Sequence, residues 1–163
     1  LPSPRVALLM GGPPRAEGMD SSVAGAITAQ VAGFAGSVLA TASRRTGRAP
    51  EDAMAAALAG HPHQLFRWGD APPNPYAGFL AWADQVVVTG DSVSMLSEAL
   101  ATSGPVFIAG PGGLEPRHKR LAESLFTAGQ ARDLAAAPAP FARAALDESG
   151  RIAAEIRRRG LLA

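Results

Sequence analysis

The chain of 163 residues contains no cysteine, which excludes disulfide bonds, thiolate zinc sites and cysteine nucleophiles. Aromatic residues make up only 6% of it, so we expect a core built mainly from Ala, Val and Leu. No apolar run approaches the ~20 residues that a membrane-spanning helix needs. The formal net charge is +1, which selects neither nucleic acid nor an anionic membrane. We therefore expect a cytoplasmic protein with no nucleic-acid partner and no transmembrane segment, while peripheral membrane contact stays open.

Several signatures of known active sites are also absent. The chain has neither the G-x-G-x-x-G fingerprint of dinucleotide binding nor a G-x-x-x-x-G-K-[ST] phosphate loop. A short-chain reductase requires Tyr-x-x-x-Lys for proton transfer, but Leu80 stands four residues after Tyr76. His61 and His63 have neither cysteine nor a carboxylate cluster nearby, so we expect no metal and no cofactor.

What the chain does contain is an alternation of short apolar segments with helical patterns. Strands are predicted at residues 6–10, 37–41, 64–68, 85–89 and 106–109, and helices at 22–34, 50–58, 76–82, 93–102, 117–127 and 147–159. Residues 131–140 are an Ala/Pro-rich connector without clear periodicity. Short apolar strands separated by helices are typical of a parallel sheet covered on both faces. The prediction is one α/β domain over residues 1–163: a three-layer α/β/α Rossmann-like fold with a mostly parallel sheet of five to six strands.

The turn after the fourth predicted strand is the most informative segment. It leads through Gly90 straight into a helix, and a helix N-terminus at the carboxyl end of a strand favours an anionic ligand. Gly90 would let a ligand approach the backbone, and Asp91 or Ser92 would cap the helix. Glu98 lies four residues after Ser94, so the two share a helix face. The alternative is a plain capped helix whose Glu98 faces solvent.

A second turn, Ser43-Arg44-Arg45-Thr46, follows the second predicted strand. Arginine binds phosphate or pyrophosphate bidentately, and this turn should open on the same sheet edge as the first. Gly11 and Gly12 form another loop on that edge, and residues 110–113 form a fourth. The alternative interpretation is a pair of surface arginines at a helix entry.

Three further motifs favour structural roles. In Asn74-Pro75-Tyr76, helix capping is favoured over contact with a base or sugar. His118 is expected to be exposed on a helix. The arginines at 157–159 complement a helix C-terminus, which is favoured over a local anion site.

Gly-Asp-Ser after a strand is also how one class of serine esterases presents its nucleophile. Those enzymes place this block near the first strand and carry a late Asp-x-x-His. Here the block follows residue 89, and no Asp has His three positions later. A Ser92 nucleophile would therefore have no identifiable base.

Four segments, taken in order, resemble the C-terminal half of the mitochondrial fission "elongated mitochondria" family. They are LLMGG, ATASRRT, NPYAGFLAWAD and VVVTGDSVSMLSEAL, and the resemblance covers roughly residues 5–110. That family in turn resembles GT-B glycosyltransferases, in which two Rossmann-like domains face each other across a cleft. The resemblance implies that this chain is the half that holds the nucleotide sugar, with a missing N-terminal domain as its partner. That the chain begins with Leu1 and not Met is a further reason to expect a piece of a longer protein.

The resemblance also implies roles for particular residues. Arg44 and Arg45 would neutralise the diphosphate leaving group, and Glu98 would hold the ribose, with the nucleotide sugar as substrate and not cofactor. Because the N-terminal domain would bring the acceptor site, we expect this half to be inactive alone. The alternative is a non-catalytic interaction or adaptor module of the same family. No catalytic residue is identified, and the candidate ligand-binding residues are Gly11, Gly12, Ser43, Arg44, Arg45, Thr46, Thr89, Gly90, Asp91, Ser92, Ser94 and Glu98.

Overall fold

Six strands and six α-helices alternate along the described part of the chain. The computed structural model describes residues 1–12, 19–71, 73–110, 114–136 and 138–161. The strands are β1 (Arg5–Met10), β2 (Ser37–Ala42), β3 (His63–Phe66), β4 (Gln85–Thr89), β5 (Val106–Ala109) and β6 (Arg132–Asp133). The helices are α1 (Ser21–Ala32), α2 (Arg48–Ala57), α3 (Tyr76–Trp82), α4 (Val93–Leu100), α5 (Pro116–Thr127) and α6 (Glu148–Arg158).

The strands form one parallel sheet in the order β3-β2-β1-β4-β5-β6. This confirms the predicted Rossmann-like fold. The chain winds outward from β1 in one direction and then from β4 in the other, so the winding reverses between these two neighbours. In open α/β sheets the crevice at this reversal, outside the carboxyl ends of the strands, is where ligands bind.

The core consists of two layers, one on each face of the sheet. Alternate residues of β1 point to opposite faces. Val6, Leu8 and Met10 pack with residues of α1 and α2, while Ala7 and Leu9 pack with residues of α4 and α5. Both faces are therefore covered, which is why the central strands read as continuous apolar runs.

The structure differs from the sequence-based expectation in three places. The third strand ends at Phe66 and not at residue 68, because the Trp68 amide turns away and donates to Glu51 Oε1 at 3.0 Å. The predicted connector contains the short strand β6. This strand forms by pairing with β5, and its two residues carry no local sequence signal. His118 was expected to be exposed, but it is buried because it lies on the inward stripe of α5.

The segment before α6 clamps the C-terminal end of α4. The Arg143 guanidinium donates to four carbonyl oxygens, at 2.7–3.0 Å, in and just beyond the last turn of that helix: Ala99, Leu100, Thr102 and Gly104. Phe141 packs edge-on against the Phe107 ring of β5, with ring centroids 5.7 Å apart. A cation at this end satisfies carbonyl groups that the helix itself leaves free. The C-terminal end of α4 is thus held in place by the segment that precedes α6.

The start of β1 is held to the start of β4 by an ion pair. Arg5 Nη2 lies 2.8 Å from Asp84 Oδ1, and the Arg5 amide donates to Asp84 Oδ2 at 2.7 Å. Hydrogen bonds from the Arg5 side chain and then from its amide lower the pKa of Asp84 to about 2. The charged carboxylate is therefore favoured in the folded state.

We expect Asp84→Asn to lower the free energy of unfolding near neutral pH by about 1 kcal/mol, since the pair is partly exposed to solvent. A carboxyl whose pKa falls on folding stabilises the fold above its ordinary pKa of 3.8 and loses this effect as pH falls towards 2. Chemical denaturation should therefore show the difference closing at low pH. As a control, Asp52→Asn removes an ion pair whose carboxylate is 59% exposed and should change stability by less than about 0.5 kcal/mol. A gap at Asp84 that persists at pH about 2 would contradict the assigned role.

Candidate functional site

The carboxyl ends of β1 and β4 are in direct contact at the point where the winding of the sheet reverses. The Gly11 amide donates to Thr89 Oγ1 at 2.8 Å, and this bond is buried. A Cβ at residue 11 would lie 2.6 Å from Asp91 Oδ1 and 2.8 Å from Thr89 Oγ1. The loop after β1 can therefore approach the turn after β4 only because residue 11 is glycine.

The turn after β2 is fastened to the same place. The buried Thr46 hydroxyl shares its one proton between the carbonyl oxygens of Gly11 at 2.6 Å and Met10 at 3.0 Å, and it accepts from the Ser43 amide at 2.9 Å. A Cβ on Gly12 would collide with the backbone carbonyl of Arg45. The structure thus brings together three of the predicted loops, those after β1, β2 and β4.

Within this arrangement Thr46 and Thr89 hold the backbone in place. Both are buried, and their hydroxyls are engaged by other parts of the rim. Arg44 and Arg45, by contrast, are exposed, and neither has an acidic partner in the part of the chain that the structure describes. Two guanidinium groups are therefore available beside a rigid turn.

The turn after β4 is built differently from the expectation. Ser92 is the N-cap residue of α4, but its hydroxyl makes no capping hydrogen bond, and its amide donates to the Thr89 carbonyl at 3.3 Å. The space that a Cβ on Gly90 would enter is filled by the ends of two side chains, Leu114 Cδ1 at 2.5 Å and Ile108 Cγ2 at 3.0 Å. Approach of a ligand to Gly90 stays a prediction.

Asp91 adds the opposite charge to the rim. Its Oδ1 atom is buried and has no hydrogen-bond partner among the described residues. A carboxylate repels phosphate but accepts hydrogen bonds from hydroxyl or N–H groups. The rim therefore offers cations from the β2 turn and an acceptor from the β4 turn, which suits a ligand with both phosphate and hydroxyl groups.

The predicted motifs at residues 74–76 and 94–98 lie on α3 and α4. Asn74 Oδ1 accepts from the Tyr76 amide at 3.0 Å in a local turn, but the N-cap residue of α3 is Pro75, so the predicted capping by Asn74 is wrong. Ser94 and Glu98 are exposed on α4. Burial, and after it the Glu98 carboxylate, raises the pKa of Tyr76. The Tyr76 hydroxyl is nevertheless buried without a well-formed hydrogen bond to any described residue.

Trp68 is a candidate that the sequence interpretation missed, because it was placed inside a strand. It is 53% exposed and lines a cavity of about 310 Å³ at the carboxyl end of β3, together with Phe66, Gly69, Asp70 and Asn74. The bond from its amide to the buried Glu51 fixes this loop on α2, next to the turn that carries the two arginines. The Trp-Gly-Asp triplet after an apolar run was the available signal.

A larger cavity, about 350 Å³, lies at the opposite, amino edge of the sheet. It is lined by Arg5, Leu39, Phe79 and the 67% exposed Trp82, and by none of the predicted site residues. We place the candidate site at the carboxyl edge, because the charged and polar groups converge there. Cavity size alone would have favoured the amino edge over the carboxyl edge.

Some expectations concern residues or groups that the structure does not place together. Of the predicted loop 110–113, residues 111–113 lie outside the described residues. Arg158 and Arg159 both pair with Glu155, at 2.6 and 2.7 Å, and so contribute to α6 itself. In the described ranges no group of three His, Asp or Glu side chains could hold a metal ion. No helix there has both the length and the apolar character to cross a membrane.

Comparison with known proteins gives both a family and a fold. A family model described as "Mitochondrial fission ELM1" matches residues 1–160. This chain is 43% identical to "Mitochondrial fission protein ELM1" of Arabidopsis thaliana over 75 residues. The match covers 46% of this chain and 17% of that protein. The crystal structure of the FMN-dependent cysteine decarboxylase SpaF is similar with a TM-score of 0.50 and 17% identity, covering 80% of this chain and 83% of that one. At that identity the likeness shows a shared fold alone.

Gly12→Ala tests whether the β1 and β2 loops need their close approach. We expect it to lower stability by about 1–3 kcal/mol, because the new methyl group would overlap the Arg45 backbone. Gly78→Ala on α3 is the matched control, since its Cβ would meet open space and a helical alanine gains up to about 1 kcal/mol. Thermal or chemical unfolding measures both. Equal effects of the two substitutions would show that the loops are not packed as described.

Proposed function

The chain belongs to the mitochondrial fission ELM1 family, and we propose that within it this chain is the nucleotide-diphosphate-sugar-binding domain of a GT-B-like glycosyltransferase. The observation that carries the proposal is the junction of the β1, β2 and β4 loops at the reversal of the sheet. This is where ligands bind in open α/β sheets. The missing partner domain and the acceptor site belong to the proposal as well.

The arginines support a phosphate-binding role. Arg44 and Arg45 are exposed on a turn whose backbone is fixed by Thr46, so both guanidinium groups start from a rigid base. Bidentate hydrogen bonds from arginine are among the strongest that a diphosphate can receive. In a glycosyl transfer the diphosphate is the leaving group, and its developing charge would be stabilised by these cations without a metal ion.

The remaining groups suit the nucleoside. Asp91 and Glu98 offer acceptors for the hydroxyl groups of the ribose. A nucleotide lying along the rim would thus place its phosphates near the β2 turn.

A second candidate function is a non-catalytic adaptor. The observation in its favour is the apolar surface around Trp82 at the amino edge of the sheet. Trp82 is 67% exposed, and the cavity that it lines contains none of the residues of the rim. An adaptor would need this surface and not the arginines. Loss of protein-partner capture in Trp82→Ala, together with no nucleotide binding, would favour it.

Calorimetric titration of the chain with UDP, GDP, ADP and CDP tests the leading proposal. We expect at least one of them to bind, and the double variant Arg44→Ala/Arg45→Ala to bind it at least about tenfold more weakly, because charge-assisted hydrogen bonds are lost. Arg157→Ala, which removes an exposed arginine from α6, is the control and should bind like the parent chain. Unchanged affinity in the double variant would remove the arginines from the site.

A further inference from the structure

The two outermost strands of the sheet differ in how they are protected from pairing with another strand. β6 is only two residues long, and both residues are charged. The Arg132 guanidinium also donates to the Ala139 carbonyl at 3.4 Å, and its Cζ atom lies 4.4 Å from the centre of the Phe141 ring. The chain that follows β6 therefore covers it. Short, charged and covered outer strands are the means by which proteins prevent unwanted pairing.

β3, the outermost strand on the other side, has none of these protections among the described residues. It contains four residues, 63–66, with no proline, carboxylate, lysine or arginine. It pairs with β2 in an unbroken register and with no other strand in the described part of the chain. His63 and Gln64 are exposed, and Leu65 is half-buried. The outer side of β3 is therefore open to another strand.

The backbone of β3 determines which strand fits this outer side. The Val38 amide donates to the Pro62 carbonyl at 3.0 Å, and Val38 lies opposite His63. Because successive residues of a strand direct their amide and carbonyl groups to opposite sides, those of His63 and Leu65 face away from β2. No turn, loop or cap of the described residues bonds them. Donors and acceptors thus alternate along an unpaired strand.

A second copy of the same strand satisfies all of these groups at once. In an antiparallel pair, two opposite residues exchange both of their hydrogen bonds. With a two-fold axis at Gln64, His63 of each copy lies opposite Leu65 of the other. Gln64 then lies opposite its own counterpart in the closely spaced position, where side chains on one face meet. Its side-chain amide is both donor and acceptor, so the two copies of Gln64 can bond each other.

An apolar surface adjoins the same axis. Gln64 lines the cavity of about 350 Å³ at the amino edge, together with Phe79 and the exposed Trp82. A two-fold axis perpendicular to the sheet keeps this face of both copies on the same side, so the two cavities would lie side by side. The cation at this cavity, Arg5, is already held in an ion pair. Pairing would therefore join two apolar surfaces without bringing like charges together.

We propose that β3 is a dimerisation strand: two copies of this chain pair through antiparallel β3 strands into one continuous sheet, with Gln64 on the two-fold axis. A second copy fits better than a different partner, because the strand matches itself in its backbone groups, in the Gln64 amide and in its lack of charge. The dimer is independent of the proposed nucleotide site, which lies at the carboxyl edge.

Sedimentation velocity of the whole chain tests the proposal. Because β3 is short, the interface belongs to the weak class, and we expect a dimer at about 100 μM protein that dissociates at about 1 μM. Gln64→Lys should weaken the dimer at least about tenfold, since it removes the amide pair and sets two like charges opposite each other. Ala128→Lys adds the same charge at the exposed end of α5 and should dimerise like the parent chain.

Hydrogen exchange of the backbone amides locates the contact. In the dimer, the amides of His63 and Leu65 should exchange at least about tenfold more slowly than in Gln64→Lys at the same concentration. A dimer in which both amides exchange fast, or equal dimerisation by Gln64→Lys, would overturn the inference. So would a monomer at about 100 μM, which would leave this surface to the different protein partner that the second candidate function requires.

Discussion

Two threonine hydroxyls hold the rim of this domain together. Thr89 accepts the amide of Gly11, and the Thr46 hydroxyl shares its one proton between the carbonyl oxygens of Gly11 and Met10. These bonds join loops that follow three different strands, and they are buried from water. Everything assigned to the rim depends on them, since the arginines on one turn and Asp91 on another have fixed relative positions only while the backbone between them is fixed. The glycines at 11 and 12 are the steric counterpart of the same constraint.

The charges on this rim are mixed, and that mixture limits what can bind. Arg44 and Arg45 attract phosphate, whereas Asp91 and Glu98 repel it and accept hydrogen bonds instead. A bare polyphosphate would meet both signs, while a nucleoside diphosphate can place its phosphates at one end and its sugar at the other. These groups would suit an elongated ligand that has phosphates at one end and hydroxyl groups at the other. They would suit a simple anion less well.

Much of this could be predicted from the sequence, because the central strands are apolar on both faces. β4, β5 and α3 lie at the bounds predicted for them. Tertiary features could not be predicted in this way. β6 forms because it pairs with the edge of β5. The Trp68 amide turns out of the predicted strand to bond Glu51, which lies 17 residues earlier in the sequence. Leu114 packs beside Gly90, and no local sequence pattern connects these two residues.

The match to the Arabidopsis protein spans 17% of that relative, so the domain is one part of what the family's longer members contain. The central claim concerns this part alone: the joined loops at the β1/β4 reversal form a nucleotide site. A crystal structure of the chain with a bound ribonucleoside diphosphate tests it most directly. The account predicts density for the phosphates within hydrogen-bond distance of Arg44 and Arg45, beside the 89–92 turn. Density at the amino-edge cavity around Trp82, with the rim empty, would contradict it.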